Sequence, residues 1–122
     1  MSPKEFDRLV EECMDVIPRR FRPLLRNLVF VVEQEPPRPG LLGLYEGRPL
    51  TERSVSEPAR MPDRITIFQG PHERIARDEE DLRRLVRETI WHEVAHYFGM
   101  DERQVLRAER RRRKFFDRLR RR

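Results

Sequence analysis

The stretch TIWHEVAHYFGMDERQV, Thr89 to Val105, decides how this chain reads. It holds an HExxH pattern at His92, Glu93 and His96, then Gly99, Asp101 and Glu102. On a helix, residues four apart stand one above the other on one face. His92 and His96 therefore bring two imidazoles to one metal ion. Glu93 lies about 100° round from His92, within reach of a water held by that ion. Gly99 suits the left-handed turn that ends a helix. The chain then folds back and offers Asp101 or Glu102 as a third ligand.

Working outward, the acidic run Asp78 to Asp81 complements a helix N-terminus. The spacing predicts a helix from there to about Phe98. Counting about 100° per residue from Leu82 at zero, Leu85, Val86, Thr89 and Ile90 fall at roughly 300°, 40°, 340° and 80°. That arc is the core-facing side. On the same count His92, Glu93 and His96 land at roughly 280°, 20° and 320°, inside or beside it. An ionised carboxylate buried without a partner costs several kcal/mol or shifts its pKa until it is neutral. A divalent cation or an opening to solvent compensates, and either marks a functional site. A metal-free His/Glu hydrogen-bond cluster is the plain alternative.

Further upstream, Ser2-Pro3-Lys4-Glu5 is a helix start with a capping box. Phe6, Leu9, Val10, Cys13, Met14 and Ile17 follow helical spacing until Pro18. Cys13 falls on the apolar face and reads as a buried structural thiol. Arg19 to Arg26 is a connector of about one helical turn. NLVFVVE, Asn27 to Glu33, is β-branched and aromatic and reads as a central strand. Pro36, Pro37, Pro39 and Gly40 make a loop. LLGLYE, Leu41 to Glu46, is a second strand, and Gly47 to Pro62 is a turn-rich surface loop. RITIFQ, Arg64 to Gln69, is a third strand, with Ile65 and Ile67 on one side and Thr66 and Phe68 on the other. Gly70-Pro71 stops it, and His72 to Arg77 is a short helix or a loop.

The chain has 122 residues with 40% charged and 37% hydrophobic, so one domain with a small core is expected. No apolar run approaches the roughly 20 residues of a membrane span. The acidic, amphipathic start lacks the n- and h-regions of a signal peptide. The single Cys13 excludes an internal disulfide and a cysteine metal cluster. A cytoplasmic protein is the expectation. Residues 101–122 hold 11 Lys and Arg against 4 Asp and Glu, a net of +7; residues 1–100 hold 16 against 18, a net of −2. The basic character belongs to the tail. The expected division is a body over residues 1–106 and an Arg-rich helical tail over residues 107–122, with Val105, Leu106, Phe115, Phe116 and Leu119 as apolar positions from Asp101 onward.

The segment HEVAHYFGMDE resembles the HExxHxxGxx(H/D) motif of zincin metallopeptidases. LLGLYEG, PLTERS, PDRITIFQGP and TIWHEVAHYFG occur in order and resemble the small bacterial zincin-like metallopeptidase family. The resemblance covers roughly residues 5–106 and implies an α+β, minimal zincin-like fold. In it a small mixed sheet of about three to four strands packs on the N-terminal helix and the HExxH helix. It implies zinc bound by His92 and His96 and, three residues after the glycine, by Glu102, with Asp101 one residue earlier, or water alone, as the competing choices. It further implies Glu93 as general base and peptide-bond hydrolysis of a peptide or protein substrate by a zinc-activated water. RITIFQ is the strand expected to present a substrate-pairing edge. Tyr45, His72 and Tyr97 are candidate oxyanion stabilisers whose plainer reading is structural.

Two further readings stand beside this one. A non-proteolytic zinc-binding protein would keep the ligands for stability or recognition. A nucleic-acid-associated protein would use RAERRRRKFFDRLRRR, with affinity falling steeply with salt. No nucleic-acid-binding fold signature accompanies that tail.

Overall fold

The computed structural model describes residues 1–47 and 62–99 together with residues 103, 107, 110 and 111. Helix α1 spans Pro3–Cys13. Ser2 Oγ accepts from the Glu5 amide at 3.1 Å, and the Glu5 carboxylate accepts from the Ser2 amide at 3.4 Å. This reciprocal cap satisfies two of the donors that a helix start leaves open. Phe6, Leu9, Val10 and Cys13 are the buried stripe of α1. Burial raises the Cys13 thiol pKa, as befits an inert core residue. A 3₁₀ turn over Met14–Val16 continues the helix, and a second over Arg19–Leu24 forms the connector.

Three strands follow: β1 (Leu28–Glu33), β2 (Gly43–Glu46) and β3 (Asp63–Phe68). Their order in the sheet is β1-β3-β2. β1 lies parallel to β3, with Leu28 opposite Asp63 and Glu33 opposite Phe68. β2 lies antiparallel to β3, with Gly43 opposite Ile67 and Glu46 opposite Arg64. The sheet is thus mixed, and the fold is α+β.

This order corrects two strand assignments. Among the described residues NLVFVVE is an edge strand rather than the central one, and RITIFQ is central rather than an edge. Both runs are β-branched and apolar, so their composition does not separate them. The chain instead places β2 on the far side of β3, and that arrangement sandwiches β3. Burial agrees: five of the six β3 residues are buried, whereas Val29 of β1 is 41% exposed. β2 begins at Gly43, later than Leu41. Gln69, Gly70 and Pro71 do not extend β3 but open helix α2 (Gln69–Ile75).

Helix α3 spans Glu79–Tyr97, capped by Asp78, whose carboxylate accepts from the Asp81 amide at 2.8 Å. Its Leu82, Val86, Ile90 and Val94 meet Phe6, Leu9 and Val10 of α1 and Ile65 and Ile67 of β3 in one core. Each such side chain contributes about 1.5–3 kcal/mol on burial. Arg83 with Glu12 (2.6 Å) and Arg87 with Asp15 (3.0 Å) tie α3 to α1 and its following turn at the surface. Exposed pairs of this kind contribute at most about 1 kcal/mol each. At the end of α3 the buried Tyr97 hydroxyl lies 3.1 Å from the Leu24 carbonyl and 2.9 Å from that of Arg26. It fastens the helix to the chain entering β1.

The loop expected between Gly47 and Pro62 lies outside the described residues except at its two ends, as do the five apolar tail positions. Arg103, Arg107, Arg110 and Arg111 have helical backbone and are exposed.

Removing only the Tyr97 hydroxyl takes away the one O–H that the Leu24 and Arg26 carbonyls share. Tyr97→Phe is expected to lower the unfolding free energy by about 0.5–1.5 kcal/mol in a urea titration. An unchanged midpoint would show that the tether carries no stability.

Candidate metal centre

His92, Glu93 and His96 occupy the last two turns of α3. Glu93 lies near the middle of the core-facing arc and is 8% exposed. The two histidines sit at its flank and are partly exposed. Helical phase alone produces this arrangement: a buried carboxyl beside two imidazoles that still reach solvent.

The Nε2 atoms of His92 and His96 are 3.3 Å apart, with ring centroids 4.9 Å apart and planes at 67°. Two nitrogens bound to one tetrahedral zinc at about 2.0–2.1 Å are separated by about 3.3–3.4 Å. The pair thus fits the span of two ligands on one ion. Gly99 follows with φ +87°, and its amide donates to the His96 carbonyl at 2.9 Å. This is the left-handed exit expected of a helix ended by glycine. Asp101 and Glu102, the two candidates for the third ligand, lie outside the described residues. Among the described residues no group of three His, Cys, Asp or Glu side chains is placed to hold a metal.

The other wall of the site is β2. A Cβ on Gly43 would lie 2.6 Å from Thr89 Cγ2 and 3.1 Å from Glu93 Cγ. Only glycine lets the strand cross α3 this closely. Thr89 and Glu93 stand four residues apart on one face, and both press on the same point of β2. The sequence reading missed Gly43, although an isolated glycine within a strand is a known mark of close backbone approach.

The three candidate oxyanion stabilisers are engaged in the structure. The Tyr45 hydroxyl donates to Asp63 Oδ2 at 2.6 Å, and its ring meets that of Tyr97 edge-on at 6.0 Å. Tyr97 tethers the β1 entry, as above. His72, on α2, is fully buried. Its Nδ1 is 2.7 Å from the Phe68 carbonyl and its Nε2 is 2.8 Å from Thr89 Oγ1. Burial pushes the His72 pKa down, against the opposing pull of hydrogen bonds to the Phe68 and Leu85 carbonyls. The shift favours the neutral ring.

A family model described as a zincin-like metallopeptidase matches residues 25–111. The structure of a conserved hypothetical protein from Thermus thermophilus is similar, with a TM-score of 0.55 at 28% identity. The match covers 80% of this chain and 94% of that one. No curated protein matches.

The lowered His72 pKa has a signed consequence. Below its ordinary pKa of 6.5 the unfolded chain takes up a proton that the folded protein refuses. Stability is therefore full above that pH and falls as pH drops from it toward the folded pKa. Urea midpoints measured across this window should decline with acid in the wild type and decline less in His72→Asn. Parallel curves would mean that His72 is not the group responsible.

Proposed function

The chain belongs to the zincin-like metallopeptidase family, and from that premise we propose that it hydrolyses peptide bonds in a zinc-dependent reaction. His92 and His96 would hold the metal through Nε2, with Glu102 as third ligand and Asp101 as the competing choice. The metal, when bound, supplies the positive charge that lowers the pKa of a water toward about 7 and polarises a carbonyl. Glu93 is the general base: it takes the proton of the attacking water and passes it to the leaving amine. The observation that carries this reading is the 3.3 Å Nε2 pair beside a nearly buried Glu93.

The substrate-pairing edge moves from RITIFQ to β2. Among the described residues β2 pairs only with β3 and lies against α3. An extended peptide paired with β2 would gain main-chain hydrogen bonds near Thr89 and Glu93. Among the described residues no helix is long and apolar enough to cross a membrane. A cytoplasmic setting remains part of the proposal, supported by the lone Cys13.

Metal analysis of the purified full-length protein tests the centre. The wild type should carry about one zinc per chain and His96→Ala should lose it. Glu93→Gln should keep the zinc while turnover of a quenched peptide library falls by about 10²-fold or more. Lack of stoichiometric zinc in metal-replete wild type would remove the reading. Zinc without any turnover that depends on Glu93 would leave the non-proteolytic zinc protein in its place.

A further inference from the structure

The His72 imidazole is a polar ring in a place where an apolar one would be simpler. It is completely buried, and the Phe6 ring lies against it at 6.1 Å. It belongs to α2, yet its Nε2 reaches across to Thr89 of α3 at 2.8 Å. The Phe68 carbonyl, 2.7 Å from Nδ1, can only accept. Nδ1 therefore carries the proton of the neutral ring, and Nε2 is an acceptor. The Thr89 oxygen it meets also lies 2.9 Å from the Leu85 carbonyl, and its single proton serves one of these two acceptors at a time. Within hydrogen-bond distance of both, Oγ1 has one place to be. In a β-branched side chain, fixing one branch fixes the other. The Thr89 methyl is thereby aimed at Gly43, where the stem of Glu93 also rests.

We propose that His72 is a positioning residue for Glu93: it locks the Thr89 rotamer, and the Thr89 methyl with Gly43 forms the wall that holds the Glu93 side chain in place. The inference rests on the peptidase reading of Glu93 given above. A general base works through its placement, and displacement by about 1 Å can cost up to 10²-fold in rate. A wall made of a strand backbone and a methyl tied to a buried ring leaves the Glu93 stem little freedom. The wall acts on orientation alone, because neither His72 nor Thr89 is among the ligand candidates. Their loss should therefore appear in kcat and not in metal binding.

The test uses zinc-loaded full-length protein and the quenched peptide library. Thr89→Ser keeps the hydroxyl and removes the methyl; His72→Leu removes the lock. Each should lower kcat about tenfold, with KM and zinc content unchanged. The double variant should fall no further than either single, because both act through one contact. Crystal structures of wild type and Thr89→Ser should show the Glu93 side chain moved toward the vacated space. If His72→Leu fails to fold, Thr89→Ser alone carries the comparison. Values of kcat within twofold of wild type in the variants that fold would overturn the proposal. So would zinc content falling in step with kcat, or independent, multiplying losses in the double variant. If the wild type shows no turnover that depends on Glu93, the peptidase reading fails. The crystal structures then decide the positioning claim alone: an unmoved Glu93 overturns it and a displaced one supports it.

Discussion

The close crossing of β2 over α3 at Gly43 sets the terms for everything around the candidate metal centre. A strand and a helix normally keep their distance because side chains stand between them. Here one side is bare, so Thr89 and Glu93 pack directly on strand backbone. That contact places a nearly buried carboxyl beside two partly exposed histidines. It also makes the orientation of β2 the orientation of the site's wall. The rest of the fold serves to hold α3 against that strand.

Three sets of contacts do so, and they differ in strength. The apolar contact of α3 with α1 and β3 is the largest, since several fully buried aliphatic side chains meet there. Two buried polar tethers then give direction, which apolar burial cannot. His72 ties α2 to the middle of α3, and Tyr97 ties its end to the chain entering β1. Arg83 and Arg87 add exposed ion pairs, whose contribution solvent screens. A small domain gains precision at one helix face by placing some of its buried polar groups there. His72, Thr89 and Glu93 all belong to that region.

The division between legible and illegible features follows the range of the interactions. The Ser2 and Glu5 capping box, the buried stripe from Phe6 to Cys13 and the core face of α3 depend on residues three or four apart. Helical geometry converts such spacing directly into structure, so these features were readable. Tyr97 illustrates the limit. Its phase, at roughly 60° on the same count from Leu82, put it inside the core-facing arc. Nothing local revealed that its hydroxyl would meet carbonyls more than 70 residues earlier. The exchange of edge and centre between NLVFVVE and RITIFQ has the same origin. β-propensity reports a half-buried pleated surface, not a position within the sheet.

By itself, the sequence determined which side chains share the last turns of α3, where that helix begins and ends, and the family to which the chain belongs. These follow from residue spacing, capping chemistry and the glycine after the histidines. Only the tertiary structure decided that, among the described residues, β3 is central and that β2 is the strand against Thr89 and Glu93. It likewise decided that Gly43 is the point of closest approach and that His72 reaches Thr89. Those facts join residues 17 to 50 positions apart through pairing and packing. Such contacts are selected by the fit of whole surfaces, which no local pattern of residues encodes.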